Sequence, residues 1–148
     1  MKIVGIDYGD KRIGVSFSDI MGFLAGESFT INVTNPEKAF DELCESILSR
    51  KAEEIVLGYP KHMNSDIGDR AKKSEEIAEK LRERTGLSVI LWDERCTTVD
   101  AHRILSETGY HGKKRRAKVD SVAAALILQN YLDFKKNPST AIRRSPSL

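Results

Sequence analysis

The stretch Lys2–Ser18, KIVGIDYGDKRIGVSFS, decides the fold. Ile3, Val4 and Ile6 are apolar and β-branched, so Lys2 to Tyr8 reads as a strand with Asp7 at its end. Gly9-Asp10-Lys11 is a turn signal. Beyond it Ile13, Val15 and Phe17 alternate with Gly14 and Ser16, the period of a second strand over Arg12 to Ser18. The short link makes the pair a hairpin. The feature that needs explaining is Asp7, because burying an unpaired carboxylate in an apolar strand is costly.

Working outward, a third strand lies within Glu27 to Val33. Asn35-Pro36 starts a helix, with Asn as N-cap and Pro at the first helical position. It runs to about Arg50, with Ala39, Phe40, Leu43, Ile47 and Leu48 on one face. Glu54 to Gly58 reads as a buried strand, followed by a polar loop from Tyr59 to Asp66. A long helix turns Ala71, Ile77, Ala78 and Leu81 inward and stops near Gly86. Ser88 to Trp92 is the last strand, and it runs into Asp93-Glu94-Arg95. Thr97 or Thr98 caps a helix ending near Gly109; Gly112 to Ala117 reads as a basic loop; Val119 to Phe134 is the last helix.

The order β-β-β-α-β-α-β-α-α predicts an α/β fold. Three strands with short links form an antiparallel meander. Two later strands, each reached through a helix, lie parallel to the first. The expectation is a mixed five-stranded sheet flanked by helices, one domain over residues 1–136. Residues 137–148, rich in Pro, Ser and Arg, are expected to be a disordered tail.

Composition narrows the function classes. The 148 residues suit one core, and 40% hydrophobic with 31% charged residues is ordinary for a globular chain. No apolar run approaches the roughly 20 residues of a membrane span. The N-terminus lacks the features of a signal peptide, so a cytoplasmic location is expected. Cys44 and Cys96 form no Cys-x-x-Cys pattern, which argues against a disulfide scaffold and a zinc site. Charge is unevenly spread. Residues 1–110 hold 15 Lys+Arg and 20 Asp+Glu, whereas residues 111–148 hold 9 and 2. A basic end of this kind predicts a polyanion partner.

Asp7 ends the first strand, Asp93-Glu94 follow the last, and Asp120 opens the last helix. Taken singly, a turn former, a cap and a helix-dipole partner would account for them. Taken together, they point to the edge where open α/β sheets bind ligands. Clustered carboxylates repel one another, and a hard divalent cation offsets that repulsion. Two Mg²⁺ or Mn²⁺ ions about 4 Å apart can activate water and stabilise the leaving oxygen of a phosphodiester.

The segment Gly5-Ile6-Asp7-Tyr8-Gly9-Asp10-Lys11-Arg12-Ile13-Gly14 resembles the opening motif of the YqgF (also called RuvX) family. Asp93-Glu94-Arg95 with Thr97-Thr98 and Ala101 is similar to a second family motif. Lys118-Val119-Asp120-Ser121-Val122-Ala123-Ala124, with Leu128-Gln129 and Tyr131-Leu132, is similar to a third. Gly58-Tyr59-Pro60 with Asn64, Gly68, Arg70 and Ala71 is a weaker match. Tyr59, Ser65, Asp69 and Cys96 depart from the family pattern, and none is a proposed metal ligand.

This resemblance implies an RNase H-like fold related to Holliday junction resolvases. It also implies a nuclease role in maturing the 5′ end of pre-16S ribosomal RNA. The metal-ligand roles would fall on Asp7, on Asp93 or Glu94, and on Asp120. Strand alternation turns only one of Asp93 and Glu94 toward the site, and Glu94 is preferred as the catalytic partner.

Arg12, Arg70 and Arg95 are candidates to hold phosphate, whose geometry a guanidinium matches. Lys113, Lys114, Arg115, Arg116 and Lys118 precede Asp120 and are expected to contact a nucleic-acid backbone. A surface ion pair or a solvated loop is the plainer alternative for each. His62 could touch substrate, and His102 packs or faces solvent.

The main expectation is a metal-dependent ribonuclease acting on precursor ribosomal RNA, alone or within the ribosome. The first alternative is a resolvase of branched DNA, which would need a dimer to face a symmetric junction. No apolar stripe marks a dimer face, and monomer and homodimer stay open. The second alternative is a non-catalytic RNA-binding factor. A nucleotide-binding kinase is disfavoured by the chain's length and by the lack of a P-loop.

Overall fold

The computed structural model describes the backbone of residues 1–59, 65–93 and 112–136, and the side chains of 1–59, 71–92 and 121–136. In chain order the elements are β1 (Ile3–Tyr8), β2 (Arg12–Ser18), β3 (Ala25–Asn32), α1 (Pro36–Ser49), β4 (Glu54–Tyr59), α2 (Ser65–Thr85), β5 (Ser88–Asp93) and α3 (Gly112–Lys136). The sheet order is β3-β2-β1-β4-β5, which puts β1 at the centre. β1 and β3 each run antiparallel to β2, whereas β4 runs parallel to both β1 and β5. This is the predicted meander plus two parallel strands. Among the described residues, no helix is long and apolar enough to cross a membrane.

Strand alternation divides the sheet between two cores. Val4, Ile6, Ile13, Val15, Ile55 and Leu57 face α1 and α2, meeting Leu43, Ile47, Ile77 and Leu81. Ile3 and Val56 face the other way, against Ile127, Leu128, Tyr131 and Leu132 of α3. Each fully buried aliphatic side chain contributes about 1.5–3 kcal/mol relative to exposure.

Local chemistry sets the boundaries. The Asn35 side chain accepts from the backbone N–H groups of Glu37 (3.0 Å) and Lys38 (3.2 Å), and Pro36 follows it. That cap contributes about 1 kcal/mol. α2 ends because Gly86 takes the left-handed conformation at φ 72°, its N–H donating to Arg82 O at 2.9 Å.

α3 seats unusually close to β1. A Cβ added to Gly5 would lie 2.7 Å from Leu128 Cβ and 2.9 Å from the Ala124 carbonyl oxygen. Ala123, Ala124 and Ser121 on the helix are buried, as are Gly14, Ser16 and Ser18 on β2. Small residues on both surfaces make the approach feasible.

Several details differ from the sequence-based expectations. Tyr59 ends β4 and Ser65 and Asp66 open α2, so the loop between them is shorter than the expected Tyr59 to Asp66. The run from Gly112 to Ala117 is helical, the first turns of α3, not a loop. Lys, Arg and Ala are strong helix formers, and charge alone does not break a helix. Leu48 is 51% exposed, and Cys44 takes the buried place on α1. β3 begins at Ala25, before the predicted Glu27. The expected helix from Thr97 or Thr98 to Gly109, most of the loop after β4, and the tail lie outside the described residues.

Gly5→Ala is expected to cost about 1–3 kcal/mol through overpacking. The check is a lower urea midpoint at unchanged m-value. An unaltered midpoint would mean that α3 does not rest on β1 in solution.

Candidate active site

Asp7 lies at the C-terminal end of the central strand and is half-buried. It pairs with Gly14 of β2. In β4 the register Ile6↔Leu57 carries on to Gly58, which pairs with Trp92 of β5. The row across the sheet is therefore Gly14, Asp7, Gly58, Trp92. Two glycines flank the acid, so neither adjacent strand sets a side chain directly beside it in this row.

Asp7 shares the parity of Ile3 and Gly5, the residues that meet α3. Arg12 is two residues from Gly14 on the same face, the diagonal neighbour of Asp7. Such diagonal pairs are separated by roughly 7–8 Å, within reach of a long side chain. Arg12 is also half-buried.

β5 ends level with this row. Tyr59 pairs with Asp93. Position 93 has the parity of Val89 and Leu91, which pack on the α1 and α2 side. Ile90 and Trp92 pack on the α3 side. The side chain of Asp93, and the whole of Glu94 and Arg95, lie outside the described residues.

The direction of α3 decides where Asp120 sits. Ala124 and Leu128 lie over Gly5. Further along, the Tyr131 hydroxyl donates to Glu54 Oε1 at 2.8 Å, and Lys135 reaches the same oxygen at 3.5 Å. Glu54 opens β4 and is level with Ile3, so α3 runs antiparallel to β1. Its N-terminal half therefore points to the edge that carries Asp7. Position 120 is one turn before Ala124 and about three turns before Tyr131, on the stripe that faces the sheet. One turn advances about 5.4 Å, and the two strand residues from Gly5 to Asp7 advance about 6.6 Å. Helix position 120 and strand position 7 are thus level. The Asp120 side chain lies outside the described residues.

α3 opens with Gly112, Lys113, Lys114, Arg115 and Arg116 and has no acid in its first turn. Four cationic residues coincide with the positive end of the helix dipole, an arrangement that costs energy without an anion nearby. The side chains of Lys113 to Lys118, Arg70 and Arg95 are outside the described residues.

Gln129 and Tyr131, which hold α3 in place, stand in the third family motif, but nothing in the sequence assigns them a structural role. Gln129 Oε1 accepts from Ala25 N at 2.9 Å, while its Nε2 donates to Phe23 O at 3.1 Å. Lys136 Nζ donates to Phe23 O at 3.0 Å. Trp92 stacks edge-on against Tyr131, with centroids 5.4 Å apart. A sequence signal that could reveal the role of Tyr131 is Glu54, an acid opening a buried strand, which needs a partner. Burial first, and then the hydrogen bond to Glu54, push the Tyr131 hydroxyl above the ordinary tyrosine range. Burial likewise raises Tyr8.

The chain matches the model of the RuvX family, described as Holliday junction resolvase, over residues 1–134. A Listeria innocua protein named "Putative pre-16S rRNA nuclease" is 45% identical over 135 residues, covering 90% of this chain and 98% of that protein. An Agathobacter rectalis protein of the same name is 44% identical over 140 residues, covering 93% and 98%. Among solved structures, T. thermophilus RuvC in complex with a Holliday junction substrate superposes with a TM-score of 0.59 at 11% identity, covering 93% of this chain and 96% of that one. The fowlpox virus Holliday junction resolvase gives 0.56 at 14% identity, covering 90% and 99%. These likenesses identify the fold as RNase H-like.

Because folding raises the Tyr131 pKa, its contribution is complete below about pH 10, the unfolded value, and is lost as pH rises beyond it. Tyr131→Phe is expected to cost about 1 kcal/mol at neutral pH. It should also flatten the alkaline fall in stability, as measured by urea titration from pH 8 to 11. An equally steep fall in the variant would place the titrating group elsewhere.

Proposed function

The chain belongs to the RuvX family and has a nuclease fold; from this we propose that it is a divalent-metal-dependent nuclease that hydrolyses precursor 16S ribosomal RNA near its 5′ end. The observation that carries the proposal is the level placement of strand position 7 and helix position 120 at one sheet edge. The donor set fits a hard cation. Carboxylate oxygens are the ligands such ions take.

In this proposal Asp7, Glu94 and Asp120 hold two Mg²⁺ or Mn²⁺ ions. Glu94 is preferred to Asp93 because Asp93, the last residue of β5, falls on the alternation opposite to that of Asp7. When bound, such ions activate water and offset the charge that builds on the phosphate. Arg12 and Arg95 hold the scissile phosphate in line, and Arg70 is a further candidate for the flanking phosphate. Lys113, Lys114, Arg115, Arg116 and Lys118 bind the backbone beyond it, which also offsets their repulsion with the helix dipole. A protein that processes precursor rRNA in this way would work in the cytoplasm, with residues 1–136 as the nuclease domain and 137–148 as a tail.

The family description favours branched DNA as a second reading. Purified protein is incubated with a precursor-like RNA and with a four-way DNA junction, each with Mg²⁺, Mn²⁺ or chelator. Metal-dependent RNA cleavage is expected, and Asp7→Asn should lower kcat about a thousandfold, as loss of a charge-stabilising group does. Intact cleavage by that variant would remove Asp7 from the mechanism. Cleavage of the junction alone would support the resolvase reading. RNA bound but never cut, with or without metal, would mark a binding factor.

Replacing Lys113 to Arg116 with alanine is expected to weaken RNA binding at low salt. The slope of log affinity against log salt should become shallower by about 0.7 for each phosphate that the variant no longer neutralises. An unchanged slope would mean that this turn of α3 does not touch the backbone.

A further inference from the structure

On the face opposite Asp7, α1 and α2 enclose a groove of about 630 Å³ at the same sheet edge. Its floor is Tyr8, Val33, Phe40 and Ile77. Tyr8 follows Asp7 directly, and alternation sends the two to opposite faces of β1. A chain crossing the end of β1 would thus meet the acid on one side and the groove on the other.

The rim is mixed in charge. Asp41 bonds Arg84 at 2.6 Å, and Asp10 pairs with Lys73. Glu37, Lys80 and Glu83 complete it. Arg84 also lies over the Phe40 ring, 5.5 Å from its centroid. A phosphate placed here would face four acids, Asp10, Glu37, Asp41 and Glu83, against three cations, Lys73, Lys80 and Arg84. A purely apolar ligand would desolvate the rim without pairing it. A planar neutral group with donors and acceptors on its edge, and a face to stack on an aromatic floor, suits both parts. That description is a nucleobase.

We propose that the groove between α1 and α2 receives a base of an unpaired stretch of the substrate strand, with Tyr8 as its stacking platform. This rests on the reading of the chain as a nuclease, and it adds a subsite on the face that the acids do not use. Tyr8 then helps set which single-stranded segment is presented to Asp7. Binding there raises affinity without touching the reacting phosphate, so its loss belongs in KM and not in kcat.

The test places one abasic residue at each position around the cut in a precursor-like RNA. One position is expected to raise KM about tenfold with kcat unchanged, the size of one base stack removed. Tyr8→Leu should raise KM similarly on intact RNA and remove the sensitivity at that position, whereas Tyr8→Phe should restore both. Lys80→Trp, an exposed rim change that covers the groove without altering the core, should mimic Tyr8→Leu. Separately, a dinucleotide is titrated into the intact protein and NMR shifts are followed at Tyr8, Phe40 and Ile77. RNA cleavage with the same abasic penalty in Tyr8→Leu would overturn the subsite and leave the nuclease reading standing. Dinucleotide shifts at the groove, absent in Lys80→Trp, without cleavage of any RNA would uphold the subsite and sink the nuclease reading. No shifts and no sensitive position would overturn the subsite.

Discussion

The packing of Gly5 against the Ala124–Leu128 turn of α3 governs the geometry of this molecule. With 2.7 Å between an added Cβ and Leu128, the helix rests on the strand backbone itself. That spacing fixes three things: the depth of the second core, the level of position 120 against Asp7, and the azimuth at which the basic turns leave the sheet. Gln129 and Tyr131 then prevent the helix from sliding, one bonding the start of β3 and the other the start of β4. A nuclease that gathers acids from a strand and a helix needs such a fixed separation, because misplacement of about 1 Å is costly to catalysis.

Much of this was legible in the sequence because the signals were local. Alternation over Lys2 to Ser18 and the Asn35-Pro36 cap each act within a few residues, and the meander and α1 followed from them. The two parallel strands were legible because each is a short apolar run reached through a helix. Long-range facts were harder to read. Leu48 lies at the margin of the α1 stripe, where a wheel cannot tell a core position from an exposed one. The basic run beginning at Lys113 looked like a loop because its charge outweighed its helix propensity. The parity of Asp93 follows only from the pairing of β5 with β4. The groove joins Tyr8, Phe40 and Ile77, three residues on three elements, and no spacing in the sequence brings them together.

The site residues divide along the same line. Asp7 stood out because a carboxylate in a buried strand conflicts with its surroundings, and functional positions are where such conflicts are expected. Gln129 and Tyr131 raised no conflict, since a polar or aromatic residue on a helix is ordinary. Their importance comes from what they hold in place, and that is a property of the assembled sheet.

The length of α3 has a mechanical consequence. Its 25 residues form one helix clamped along its C-terminal half, with its basic residues gathered at the N-terminal end. Such a member behaves as a cantilever. A polyanion pulling on the charged turns exerts a moment about the Gly5 fulcrum, and position 120 lies between load and fulcrum. If a cation binds at position 120 and a polyanion at the basic turns, their affinities are linked, each altering the other by the same factor at equilibrium. The stiffness of a single helix makes that linkage available without a separate moving part.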